Sequence, residues 1–272
     1  MTAESIGSSY LTTTDALFDN MYGIHRETGS FTFTTAGATG SSGPTLKECI
    51  AHYNVDWVDL LNMFDVTKQR IQEVIIQTSG DYHIKAYGAA RLGHLAYGAI
   101  TEGEVRLEKG CRLFIIIGQI GLGLTSGNGG TFVLKQETKE LRYLFVAGGA
   151  GGPGRSSKQG EQLEQTANTM IPENKNYTIP NLSALHADMT DPGRGRLTRE
   201  NMNKGASTSA DYGGFGGGNK YGGGGGHPCG MWRSGNPTGG ESYNIDINGK
   251  NTFHDYQGDG KCTIKLLKII PT

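Results

Sequence analysis

Glycine comes in clumps in this chain, and the clumps limit what it can fold into. The densest runs are Gly148-Gly149-Ala150-Gly151-Gly152, Gly213-Gly214-Phe215-Gly216-Gly217-Gly218 and Gly222-Gly223-Gly224-Gly225-Gly226. In all, 44 of 272 residues are Gly, more than twice the usual share of about 7%. Collagen is excluded, because it needs Gly at every third position with abundant Pro, and only 8 Pro are present. A flexible linker is the plainest reading of such composition. Two features oppose it: the runs abut strand-like segments, and they carry Tyr212, Phe215, Tyr221 and Trp232 at intervals. Glycine also permits a packed state. In the extended helix of three residues per turn, no hydrogen bond is made within the chain, so amides and carbonyls point outward all round. Side-by-side copies lacking Cβ can saturate one another, and buried backbone groups must be paired. Ordering entropy is largest for Gly, so such a bundle needs strands clamping its ends.

Around these runs the pattern is that of β-structure. Phe31-Thr32-Phe33-Thr34-Thr35 alternates, and Val74-Ile75-Ile76, Tyr82 to Ala86, Gly103 to Leu107, Arg112 to Ile117, Thr131 to Leu134 and Leu141 to Val146 read as short strands bounded by turns. Such spacing predicts a sandwich or barrel. The strand pattern stops at Gly148 and resumes after Gly240 with Tyr243 to Ile247 and Lys261 to Leu267. A terminal strand usually pairs with an early one, so the glycine region is an insertion within one domain. The expected organisation is a polar extension over 1–28, a first sandwich portion over 29–147, an insertion over 148–240 and closing strands over 241–272. Thr45 followed by Glu48 spells a capping box opening a helix to about Tyr53. Trp57, Leu60, Leu61 and Phe64 fall at helical spacing and predict a second one between Val55 and Phe64.

Candidate chemistry is sparse. Gly149-Ala150-Gly151-Gly152-Pro153-Gly154 matches the dinucleotide fingerprint after a strand, yet Ser156 to Met170 lacks the apolar helix and second strand that the fingerprint requires. The histidines at 25, 52, 83, 94, 186, 227 and 254 form no metal-ligand spacing and no pair suited to a triad. Arg194, Arg196, Arg199 and Lys204 alternate with Asp191 and Glu200 as a solvated loop. No enzyme, cofactor or metal is expected. With 25 Lys+Arg against 26 Asp+Glu, nucleic acid is not a partner suggested by charge, and no apolar run reaches membrane-spanning length. Cys49, Cys111, Cys229 and Cys262 are widely spaced, leaving two disulfides open and arguing against a zinc knuckle. Asn176-Tyr177-Thr178 and Asn181-Leu182-Ser183 are glycosylation sequons that suit a secreted protein. The opening Met1-Thr2-Ala3-Glu4-Ser5 carries no secretory signal pattern, which fits a cytosolic chain, a mature fragment or a trimmed one.

The order of these segments resembles the membrane-proximal ectodomain of the anaplastic lymphoma kinase and leukocyte tyrosine kinase receptors. The residues are Phe31 to Thr35 with Gly37-Ala38-Thr39-Gly40 and Gly43-Pro44-Thr45, then Tyr82 to Ala90, Leu113 to Gln119, Gly129 to Val133 and Leu144 to Gly149. Both later glycine runs and Gly258-Asp259-Gly260-Lys261-Cys262-Thr263-Ile264 complete the match over about residues 31–270. The resemblance implies a mainly β, tumour-necrosis-factor-like jelly roll interrupted by polyglycine II helices, acting extracellularly as a receptor module that binds a protein cytokine. Ala36 stands where that family's pattern carries a cysteine, so the disulfide tying the first strand to the helix near Cys49 is missing. The competing expectation is a structural or adhesive protein that self-associates into a fibre or attachment tip.

Overall fold

The computed structural model describes residues 30–53, 63–93, 96–123, 126–152, 168–169, 178–182, 214–217, 232–233, 236–237 and 239–271. In chain order the elements are β1 (Ser30–Phe33), α1 (Leu46–Tyr53), β2 (Phe64–Val66), β3 (Gln72–Ile75), β4 (Gly80–Tyr87), β5 (Gly98–Leu107), β6 (Arg112–Ile116), β7 (Thr131–Gln136) and β8 (Leu141–Ala147). They continue with β9 (Asn168–Thr169), β10 (Thr178–Ile179), β11 (Trp232–Arg233), β12 (Asn236–Pro237), β13 (Glu241–Asn244), β14 (Lys250–Tyr256) and β15 (Lys261–Ile269).

The strands form a β-sandwich-like pair of sheets. One has the order β1-β15-β4-β5-β14, and the other runs β2-β3-β6-β7-β8, with β10 and β13 sharing the far edge of β8. β9 joins parallel to β13, and β11 pairs with β12 as a separate hairpin. Pairing of the last strand with the first is realised, with Ser30 opposite Lys265 and Phe33 opposite Cys262. β8 precedes the glycine region, and β13, which follows it, lies antiparallel beside β8 with Tyr243 opposite Val146. The entrance and exit of the glycine region are therefore hydrogen-bonded neighbours.

Burial explains two different strand patterns. β4 alternates strictly between buried and half-buried residues, because one face meets the core and the other faces solvent. β6 and β8 are almost continuously buried. One face packs into the inter-sheet core, where Ile84, Ala86 and Ile264 meet Leu113, Ile115, Val133 and Phe145. The other carries a second cluster, in which Ile116, Phe132, Leu134 and Val146 join Ile179 and Tyr243 of the paired strands β10 and β13 and the ring of Phe215. Each fully buried side chain of this size contributes roughly 1.5–3 kcal/mol, so the cover over the second face is a substantial part of the fold.

The capping box forms as expected. Glu48 N–H donates to Thr45 Oγ1 at 3.1 Å, and Thr45 N–H donates to Glu48 Oε2 at 2.6 Å. The helix covers the core with the buried Cys49. Of the second expected helix, 55–62 lie outside the described residues, and Phe64 requires a correction. It is the first residue of β2, paired with Val74, because Arg70 at φ 63° turns the chain into a β2–β3 hairpin. There Phe64 stacks on Phe33 at 6.5 Å. β14 and the first half of β5 went unread in the sequence.

Candidate functional site

The end of the sandwich bearing the glycines is held largely by backbone hydrogen bonds, joined by the Thr131 and Ser242 hydroxyls, which accept from the Gly118 and Gly148 amides at 3.0 Å. The consecutive amides of Gly88, Ala89 and Ala90 donate to the carbonyls of Ala99, Gly129 and Gly258, each at 2.9 Å. Those of Asn128, Gly129 and Gly130 donate to Ala150, Gln119 and Gly216 at 2.9, 2.8 and 3.0 Å. The carbonyls of Gly148, Gly149 and Ala150 accept from Ala99, Gly240 and Asn128, again each at 2.9 Å. In a ladder the bonds of successive residues alternate between two sides. Here each successive residue bonds a different neighbour.

Such approach is open only to residues without Cβ. A side chain on Gly88 would begin at the Gly148 carbonyl, on Gly129 at the Phe215 carbonyl, on Gly148 at the Gly240 carbonyl, and on Gly214 at the Gln119 carbonyl. Gly216 adds a φ of 94°, and a Cβ there would strike the Gly130 carbonyl. Phe215 anchors the segment: its amide donates to Gly40 O at 2.6 Å, and its ring is buried over the second sheet.

The net reaches beyond the glycine-rich runs. Gly88, Gly118, Gly129, Gly130, Gly240, Gly258 and Gly260 belong to it, each a short step from a strand end. Of the expected glycines, Gly148 and Gly149 sit in the net, Gly151, Gly152 and Gly217 are buried, and Gly214 and Gly216 pack as above. Gly213, Gly218 and Gly222 to Gly226 lie outside the described residues. Gly149 packs against the carbonyls of Asn128 and Gly129, and no helix starts at Gly149 to Gly152.

The opposite feature is the outer face of the five-stranded sheet, which presents side chains in rows. Lys261 lies opposite Tyr87, Thr263 opposite Lys85, and Lys265 opposite His83. On the other side of β4, Lys85 faces Glu102, His83 faces Glu104, and Asp81 faces Arg106. Tyr87 and Tyr256 pack at 4.9 Å between ring centroids, and Lys261 Nζ stands 4.4 Å above the Tyr87 ring. The Tyr256 hydroxyl donates to the Asp259 carbonyl. Lys85 Nζ pairs with Glu102 Oε2 at 2.9 Å, with His83 Nε2 3.8 Å from the same oxygen. Burial acts to lower the Lys85 pKa, and its bonds to Glu102 and Tyr87 outweigh that, so the net direction is upward. Burial pushes the Tyr256 phenol up, with the negative charge of Asp259 adding to it.

Asp259 ties the sheet to the neighbouring loops. Its carboxylate accepts from Ile120 N–H at 2.8 Å, and burial raises its pKa against the effect of that bond. Alongside, the Arg91 guanidinium donates to the carbonyls of Gly121 and Gly123, leaving Leu92 and Leu122 at 69% and 59% exposure.

Cys49, Cys111 and Cys262 carry free thiols, the first and last buried in the core. Desolvation pushes Cys49 up to about 12 and raises Cys262 further. Cys229 and Asn176 lie outside the described residues, and Asn181 is exposed at the end of β10. Among the described residues no three His, Cys, Asp or Glu side chains are placed to hold a metal ion, and no helix is long and apolar enough to cross a membrane. No family model matches the chain.

Proposed function

We propose that this chain is a non-catalytic, extracellular recognition module that binds a protein ligand, resembling the cytokine-binding ectodomain of the anaplastic lymphoma kinase and leukocyte tyrosine kinase receptors. In this reading the sandwich is a tumour-necrosis-factor-like jelly roll, and the glycine net is the clamped base of a polyglycine II bundle. The change of bonding partner at every residue over Gly88 to Ala90 and Asn128 to Gly130 supports that bundle. The observation that carries the function is the contrast between the sheets. One is buried on both faces along β6 to β8, whereas the other offers an outer face with an aromatic pair, Tyr87 and Tyr256, under a lysine. Tyrosine-rich, rigidly backed surfaces are where binding hot spots concentrate.

The test is panning of a displayed peptide library on the intact chain, with counter-selection on a Tyr87→Ser/Tyr256→Ser variant. Peptides that bind the unaltered chain and lose about tenfold or more on the variant support the reading. Enrichment indifferent to the two tyrosines contradicts it.

A second reading, self-assembly into a structural or adhesive array, is favoured by Leu267 and Ile269. They are 44% and 61% exposed on β15. Light scattering decides between the two: a monomer at high micromolar concentration supports recognition, and regular filaments or rings support assembly.

A further inference from the structure

Resting on the recognition reading, the charge on the outer face of the five-stranded sheet specifies what it binds. The full chain has a formal net charge of -1, with Lys+Arg and Asp+Glu nearly equal. The paired rows of this face depart from that balance. They carry Lys85, Arg106, Lys250, Lys261, Lys265 and Lys268 against the carboxylates Asp81, Glu102 and Glu104. Two of these carboxylates are already engaged, Glu102 by Lys85 at 2.9 Å and Asp81 by Arg106 at 3.0 Å. Lys261 and Lys265 have no carboxylate partner among the described residues. Lys261 rests on the rings of Tyr87 and Tyr256 at 4.4 and 5.3 Å, and Lys265 is exposed.

Geometry sharpens the point. Lys261 and Lys265 are four residues apart on one face of β15, which places their backbones roughly 13 Å apart at a rise of about 3.3 Å per residue. Between them stand Thr263 and its neighbour Thr32, whose hydroxyl oxygens lie 3.5 Å apart. A cation held over aromatic rings keeps a fixed position with little further ordering cost, so an incoming carboxylate meets a preorganised charge.

We propose that this face docks an acidic peptide segment of a partner protein, with carboxylates spaced to reach Lys261 and Lys265 across a floor of Tyr87, Thr263 and Thr32. Such a contact is steered by charge and is therefore sensitive to salt. Lys261 sets the register and Lys265 secures the second anion.

The experiment is fluorescence anisotropy of a labelled octaglutamate peptide with the intact chain, with octaglutamine and a heparin hexasaccharide as comparison probes. The expected result is saturable binding of octaglutamate, absent for octaglutamine. Affinity should fall about tenfold or more in Lys261→Gln/Lys265→Gln and drop steeply toward ~0.5 M salt, where screening acts over only a few ångströms. Should the double variant unfold, Lys265→Gln alone, at an exposed position, gives the same comparison. Equal binding by the variants, failure of octaglutamate at millimolar concentration, or tighter capture of the heparin fragment overturns the proposal. If library peptides bind through Tyr87 and Tyr256 but carry no acidic residues and ignore the lysine changes, this inference falls while the recognition reading stands.

Discussion

The carbonyl oxygen of Phe215 stands where a side chain on Gly129 would begin, and the Gln119 amide donates to that same oxygen at 3.0 Å. The glycine at 129 is thus the space that the inserted segment occupies. Gly129→Ala forces either the Phe215 backbone or the Gln119 segment to move, and overpacking of this kind costs about 1–3 kcal/mol. Gly216→Val combines the same obstruction with a left-handed φ of 94° and is expected to be worse. Thermal unfolding should show a single cooperative loss in both variants, whereas a mobile linker would leave the midpoint unchanged.

Phe215 closes the same contact from the other side. Its ring is buried in the cluster that includes Ile116, Phe132 and Val146 of the second sheet. Phe215→Ala is expected to cost about 3–5 kcal/mol in chemical denaturation. A loss below about 1 kcal/mol would mean that the insertion is not pinned there.

Two carboxylates give opposite pH dependences. The Glu48 pKa is lowered by hydrogen bonds from Thr45, so its contribution is present above the ordinary glutamate range and lost as pH falls through the depressed folded value. Asp259 is raised above its ordinary 3.8 by burial, so its contribution is present at lower pH and lost as pH rises through the raised folded value. Asp259→Asn keeps an acceptor for the Ile120 amide and removes the charge. Its melting temperature should exceed that of the unaltered protein at neutral pH, with the gap closing near the ordinary aspartate pKa. An equal gap at both ends would show that the charge is irrelevant.

The thiols differ in exposure and therefore in reactivity. Burial raises the pKa of all three described thiols, but Cys111 is partly exposed, while Cys49 and Cys262 are fully buried. Of the three described thiols, alkylation of the native protein at mildly alkaline pH, followed by peptide mass mapping, should label Cys111 before the other two and reach Cys49 and Cys262 only with unfolding. Early labelling of Cys262 would contradict the packing of β15 against β1.

The sandwich was legible because its strands speak through local pattern. The alternation of Tyr82 to Ala86 and the apolar runs Leu113 to Ile117 and Leu141 to Val146 each named a strand, although nothing local said that the last two are buried on both faces. The cover proved to include Ile179 and Phe215, distant in sequence and silent in any short window. Phe64 misled because three apolar neighbours upstream share its helical spacing, whereas the hairpin turn at Arg70 decides its state. β14 was missed because Lys250, Asn251 and Thr252 look like loop, and only pairing with Glu102, Thr101 and Ile100 makes them strand. Isolated glycines such as Gly88 and Gly118 read as turns. Their role appears only when other backbones arrive beside them. The charge excess of the outer sheet face was likewise hidden, since overall charge is near balance and the register of β4, β5 and β15 gathers the lysines.

Amides that saturate one another laterally are expected to make the glycine end of the sandwich solid. Residue-resolved hydrogen–deuterium exchange of the intact native protein tests it most directly. The amides of Ala89, Ala90, Asn128, Gly129, Gly130, Gly214 and Phe215, all donors in the net, should exchange as slowly as those of Ile84 and Phe145 in the sandwich core. Complete exchange of these amides while the core remains protected would contradict the account.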